Sequence, residues 1–104
     1  MVYKFVQNDT KPDLEFNITK DGVPIDLTSS TVKFYMKNSD TGAVKINGVA
    51  CTITDYLKGL CKYTWQTGDL DTAGNYSGEV EITFGDGSKE TGYKTINLTV
   101  RDDI

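Results

Sequence analysis

The side chains that could perform catalysis are few and do not form a recognisable catalytic set. The chain has no histidine among its 104 residues, so the commonest general base is missing. Glu79 and Glu81 are spaced so that both carboxylates lie on one face of a β-strand. A glycosidase pair flanks a substrate cleft, whereas these two alternate with apolar residues and are predicted to face solvent. We therefore predict no catalytic residue, no cofactor and no enzymatic activity.

Several aspartates in turn-like segments raise the question of calcium binding. They are Asp69, Asp71, Asp86, Asp102 and Asp103. Calcium needs six or more converging oxygen ligands, and the chain lacks a spaced Asp-x-Asp-x-Asp-Gly loop. These aspartates are therefore predicted to be solvated turn residues, and no metal site is expected.

The two cysteines, Cys51 and Cys61, allow two interpretations. Both fall on the apolar faces of predicted strands joined by the 55–59 turn, so a disulfide between them is conceivable. The favoured alternative is a pair of buried free thiols, because the first residues lack the apolar stretch of an export signal. Without histidine, two cysteines do not complete a tetrahedral zinc site.

Alternating apolar and polar residues along the chain indicate the β-strands that would position these groups. The six clearest runs are 14–18, 32–36, 49–53, 61–65, 76–84 and 96–100, and an opening strand is expected at Val2–Val6. Gly, Pro, Asn and Asp cluster between the runs, and the Asn47-Gly48 pair predicts a type I′ hairpin. We predict one all-β domain over residues 1–104, a two-sheet antiparallel immunoglobulin-like β-sandwich of seven to eight strands.

The inner faces of these strands define the expected core. Its predicted members are Phe16, Ile18, Val32, Phe34, Ile53, Tyr63, Trp65, Val80, Ile82, Leu98 and Val100. Tyr63 and Trp65 could instead form an exposed platform for sugar stacking. Their alternation with polar neighbours favours core packing.

Charge and hydropathy narrow the classes of partner. Fifteen acidic and eleven basic residues give a net charge of −4, and the basic residues form no cluster. Nucleic acid and anionic membrane surfaces are therefore poor candidates as partners. The apolar runs are only a few residues long, so no transmembrane segment is predicted.

One short motif has a structural mechanism attached to it. Asp71, Gly74 and Tyr76 match the tyrosine corner of immunoglobulin-like domains, in which the Tyr hydroxyl bonds to backbone a few residues upstream. We expect the acceptor among residues 69–72. The alternative is a tyrosine that simply begins a strand after an acidic loop. The position two residues after Tyr76, where antibody-type domains carry a disulfide cysteine, is Gly78.

Four motifs in order along the chain carry a resemblance to a known family. They are Gly-x-Pro-x-Asp-Leu-Thr at 22–28, Thr-Val-Lys-Phe-Tyr-Met at 31–36, Tyr-Thr-Trp-Gln at 63–66 and Asp-Thr-Ala-Gly-Asn-Tyr at 71–76. Together with the Phe-Gly-Asp-Gly turn at 84–87, the chain resembles the phage tail and baseplate-upper-protein N-terminal domain family. The resemblance implies a virion structural module with no catalytic residues, made in the host bacterial cytoplasm, which docks a tail protein onto the virion. The chain would be either a stand-alone member or the N-terminal part of a longer tail protein.

The expected partners are therefore other phage tail or baseplate proteins, with a homo-oligomer as a further option. Candidate contact residues are Val2, Tyr3, Lys4, Phe5, Val6, Tyr35 and Tyr56. The opening strand is the favoured docking element, since edge strands carry unpaired backbone groups, and deleting residues 1–7 is expected to leave a folded core. The alternative function is a carbohydrate- or receptor-binding domain of the adhesin type.

Overall fold

The computed structural model describes residues 2–91 and 95–102, which contain eleven β-strands and no helix. The strands are β1 (Val2–Val6), β2 (Leu14–Asn17), β3 (Thr19–Lys20), β4 (Val23–Pro24), β5 (Thr31–Asn38), β6 (Val44–Ala50), β7 (Thr52–Asp55), β8 (Leu60–Tyr63), β9 (Gly74–Thr83), β10 (Lys89–Thr91) and β11 (Ile96–Arg101). The all-β prediction is confirmed. The described residues form eleven strands rather than the seven to eight predicted, and three of them, β3, β4 and β10, have only two or three residues.

The strands are distributed over two main sheets and one small hairpin. The larger sheet has six strands in the order β1-β11-β9-β5-β6, with β10 also paired to β9. The smaller sheet has the order β2-β8-β7, and β3 pairs with β4. One pairing corrects the antiparallel prediction, because β1 runs parallel to β11. A parallel pair needs a long crossover rather than a hairpin, and β1 and β11 lie at opposite ends of the chain.

The hydrophobic core joins the two main sheets into a β-sandwich. Phe34 of β5 in the larger sheet packs on Tyr63 of β8 in the smaller one, with ring centroids 5.0 Å apart. Both side chains are almost fully buried. Ten of the eleven predicted core residues are buried, and the exception, Ile53, is partly buried and packs against the core.

The Asn47-Gly48 pair is not a hairpin turn, and that prediction is wrong. Both residues lie inside β6, where Tyr35 pairs with Asn47 and Phe34 with Val49, which leaves Gly48 as the extra residue of a β-bulge. Gly48 has φ +74°, the conformation for which glycine is suited in such a bulge. The predicted strand at 49–53 is accordingly divided, because the chain leaves the larger sheet after β6 and enters the smaller one at β7.

Candidate protein-contact surface

The loop before β9 is held by the hydroxyl group of Tyr76. The Tyr76 side chain is buried, and its Oη donates a 2.7 Å hydrogen bond to the carbonyl oxygen of Thr72. This acceptor lies within the segment 69–72 that the sequence indicates. Gly74, between the two, has φ +151°, which residues with side chains rarely adopt. The chain can therefore turn sharply from the loop into the longest strand.

Asp71, the acidic residue of the same motif, contacts other residues than Tyr76. Its carboxylate accepts hydrogen bonds from Lys45 Nζ on β6 and from the Thr72 hydroxyl. The pKa of Asp71 lies below its ordinary value, mainly because of the hydrogen bond from Lys45. Its backbone carbonyl accepts from Gln7 Nε2 at 2.8 Å. Asp71 thus ties the loop to β6 and to the end of β1.

A second tyrosine holds the other side of this loop. Tyr63 Oη donates to Asp69 Oδ2 at 2.6 Å, and the same oxygen accepts from the backbone amide of Gln66 at 2.8 Å. Burial, followed by the Asp69 hydrogen bond, raises the pKa of Tyr63 well above its usual range, so the phenol remains a donor at neutral pH. Asp69 is therefore a partly buried hydrogen-bond acceptor and not the solvated turn residue that the sequence predicts. No local motif links residues six positions apart, so this pair gives no sequence signal.

An aromatic cluster lies in the hydrophobic core between the two main sheets. Trp65 makes edge contacts with Phe5, Phe34 and Tyr63, at centroid distances of 4.9, 6.3 and 5.2 Å. A Cβ atom on Gly78 would lie only 2.7 Å from Cε1 of Phe34, so the ring uses the space that glycine leaves. Tyr63 and Trp65 are buried core residues, as the sequence predicts, and do not form a sugar-stacking platform.

The two cysteines are free thiols. Cys61 pairs with Ile53 across the β7–β8 ladder, so Cys51, two residues before Ile53, is diagonal to Cys61 rather than opposite it. Diagonal positions on neighbouring strands are farther apart than the Cα separation of a relaxed disulfide. Burial raises the pKa of Cys51 to about 12 and that of Cys61 to about 11, so both thiols are protonated at neutral pH. Neither is a reactive nucleophile.

One side of β1 faces the core and the other faces solvent. One of the predicted contact residues, Phe5, lies on the core side. Phe5 is 7% exposed and packs on Trp65, so it is not accessible to a partner. Tyr3 is partly buried against the core, and Val6 is also half-buried. Val2 and Lys4 alternate with Phe5 and are exposed.

Two adjoining depressions lie where β1 approaches the start of the smaller sheet. Both have Tyr3 and Glu15 in their walls, and their volumes are about 510 and 470 Å³. The first also includes Asn17, whose Oδ1 is buried without a hydrogen-bond partner among the described residues. The second includes Lys4 and Asp13. Thr54 of β7 and Leu60 and Cys61 of β8 complete the wall of the first depression. We call this surface, centred on β1 and β2, the β1–β2 side.

The structure does not bring the other two predicted contact residues to this side. Tyr35 is half-buried, its ring covers Gly48, and it lines a separate small depression on β5 and β6. Tyr56 is 50% exposed in the β7–β8 turn, where its carbonyl accepts a hydrogen bond from the Leu27 amide at 2.8 Å. Sequence reasoning missed the neighbouring Leu57, which is 70% exposed. A leucine inside a polar turn is a signal that could have identified it.

The described ranges contain no group of three or more Cys, Asp or Glu residues placed to hold a metal ion. Among the same residues there is no helix that could cross a membrane.

Comparisons with known proteins concern the family and the fold of the chain. The model of the family described as the BppU N-terminal domain matches residues 2–104. A search of curated proteins found no match. Among solved structures, the fold is similar to that of CopC from Methylosinus trichosporium OB3b. The TM-score is 0.54 and the identity 13%, over 96% of this chain and 83% of that chain. At this identity the likeness concerns the fold alone.

Proposed function

Because the chain belongs to the BppU N-terminal domain family, a family of phage baseplate domains, we propose that it docks or positions a tail protein in the virion by protein–protein contacts, without catalysis. The observation that carries this proposal is the match of the family model over residues 2–104. The absence of histidine and the protonated state of the buried Cys61 and the partly buried Cys51 are consistent with a non-enzymatic role.

We further infer that the sandwich is immunoglobulin-like and that the chain works as one domain. Support comes from strand order: β5, β9 and β11 are neighbours in one sheet, as strands C, F and G are, and β2, β8 and β7 share the other, as B, E and D do. The hydrogen bond from Tyr76 to Thr72 lies at the start of β9, the position of the tyrosine corner in strand F. In this proposal the hydrogen bond from Tyr76 to Thr72 stabilises the loop before β9, and the exposed strands contact the partner.

The β1–β2 side is the surface that we assign to the partner. It contains Tyr3 and Lys4, two of the predicted contact residues, and the two largest depressions described above. The expected partner is another tail or baseplate protein.

The direct test uses purified particles of the phage that encodes the chain. An antibody against the domain should label the baseplate end of the tail in electron micrographs, and the protein should remain with the particles through a density gradient. Particles from a phage in which the gene is disrupted are the control. Absence of the protein from purified virions would contradict the proposal.

The adhesin alternative predicts a different result. The purified domain would bind host cells or cell-wall glycans with a Kd of micromolar order or better, about −8 kcal/mol. We expect no such binding, because Tyr63 and Trp65 are buried.

A further inference from the structure

The outer strands of the two main sheets differ in regularity. β6 is bulged, with register shifts against β5 at Phe34/Tyr35 and at Met36/Lys37. β7 is also irregular, between Ile53 and Asp55. In contrast, β1 pairs with β11 over five consecutive residues without a shift, and β2 pairs regularly with β8. Bulges protect an edge from pairing with another chain, so β1 and β2 are the unprotected edges among the strands that the structure describes.

The direction of the backbone groups in β1 follows from one hydrogen bond. The backbone N–H of Gln7 donates a 2.9 Å hydrogen bond to the backbone carbonyl of Arg101, which continues the parallel pairing of β1 with β11. Backbone groups alternate sides along a strand, so those of Tyr3 and Phe5 also point to β11. The amides of Val2, Lys4 and Val6 therefore point away from the sheet.

From these observations we propose that β1 is extended by strand addition: an extended segment of another tail protein pairs with the outward backbone groups centred on Lys4. The inference rests on the proposed docking function and specifies its mode. An added strand satisfies the outward N–H and C=O groups of Val2 and Lys4 and the outward N–H of Val6 with main-chain hydrogen bonds, which give affinity independently of side chains. The Val6 carbonyl already accepts a hydrogen bond from the backbone amide of Asp9 at 3.1 Å. The Lys4 ammonium selects a segment with an acidic residue opposite it.

A second copy of this chain fits the edge less well than a different protein. A symmetric antiparallel pair of β1 strands with the greatest overlap would be centred on residue 4. It would place two Lys4 side chains directly opposite each other, and like charges in that position are destabilising. The net charge of −4 adds repulsion between two copies.

The geometry itself is tested by amide hydrogen exchange of the isolated protein in solution. The Phe5 amide, bonded to β11, is expected to exchange at least tenfold more slowly than the Lys4 amide. Equal and strong protection of the Lys4 amide would show that the edge is already satisfied, and would overturn the proposal.

The docking mode is tested by comparing Lys4→Pro with Lys4→Ala. Both variants lose the ammonium group, but only proline removes the outward N–H, and an edge strand tolerates proline at such a position. If the two variants have similar melting temperatures, Lys4→Pro should be incorporated into virions at least tenfold less than Lys4→Ala. Equal incorporation of two folded variants would overturn the proposal.

Two further measurements complete the test. If Lys4→Pro does not fold, exchange of the 2–7 peptide of the unmodified protein is measured in virions and in isolation. At least tenfold slower exchange in virions is expected, and an unchanged rate overturns strand addition. In analytical ultracentrifugation the isolated protein should be monomeric, whereas a dimer abolished by Lys4→Pro would assign the edge to a second copy instead. If even the unmodified protein is absent from virions, the proposed function itself fails, whatever the exchange pattern of β1.

Discussion

At the scale of single residues, the ring of Phe34 packs in the space that the missing side chain of Gly78 leaves in the core. Since a Cβ at position 78 would lie 2.7 Å from the Phe34 ring, Gly78→Ala should lower the free energy of unfolding by about 1–3 kcal/mol. Urea denaturation measures this change. The penalty should shrink in a Phe34→Leu background, because the smaller side chain leaves room for the methyl group. A full penalty in that background would contradict the proposed contact.

The Tyr76 hydroxyl provides a second test at this scale. Tyr76→Phe leaves the Thr72 carbonyl without its partner and should cost about 1–3 kcal/mol. Tyr56, whose side chain is half exposed, is the matched control, and Tyr56→Phe should change stability by less than about 0.5 kcal/mol. Identical melting curves for the Tyr76→Phe variant and the unmodified protein would show that the hydrogen bond from Tyr76 to Thr72 does not stabilise the fold.

The cysteines give a chemical test of the same core. Because burial raises the thiol pKa values to about 12 for Cys51 and about 11 for Cys61, neither thiol should react with dithionitrobenzoate in the native protein at pH 8. After unfolding under non-reducing conditions, both should titrate. A protein without free thiols in that assay would contain the disulfide that the register of β7 and β8 disfavours.

At the scale of elements, β1 is part of the fold as well as the proposed docking edge. Phe5→Ala should cost about 3–5 kcal/mol, because it removes a buried ring that packs on Trp65. Val2→Ala, at an exposed position of the same strand, should cost less than about 0.5 kcal/mol. Thermal denaturation of the two variants measures the difference, and equal stability would place Phe5 outside the core.

The burial of Phe5 changes the expected result of deleting residues 1–7. The sequence prediction was a folded core, whereas the structure predicts that the deletion uncovers Trp65 and removes a strand of the larger sheet. Loss of incorporation after that deletion would not separate docking from folding. The substitution at Lys4 separates them, since the Lys4 amide points away from β11.

Elements were predictable where a local pattern determines them. Alternation identified β5, β9 and β11, and the Asp-x-x-Gly-x-Tyr motif identified the bend at Tyr76 with its acceptor segment. The hairpin prediction at Asn47-Gly48 is wrong because the positive φ of glycine suits a type I′ turn and a β-bulge equally well. The pairing with β5 decides between them, and that partner is distant in sequence.

At the scale of the whole molecule, the sequence indicates which face of a strand is buried but not which strand lies beside it. The division of residues 44–55 between two sheets and the parallel pairing of β1 with β11 depend on contacts far apart in the chain. The hydrogen bond between Tyr63 and Asp69 depends on the same closure of the sandwich. The family was recognisable nevertheless, because its motifs are short segments that recur in a fixed order.

The most direct measurement of the central claim is a cryo-electron microscopy reconstruction of the phage tail tip at side-chain resolution. We predict density for this sandwich at the baseplate, in contact with another tail protein, with an added strand beside β1 opposite Lys4. A sandwich held at the baseplate only through β6 or the β7–β8 turn would keep the docking function and contradict the β1 edge. A tail without this sandwich, or one in which it projects freely toward the host cell, would contradict the docking function itself.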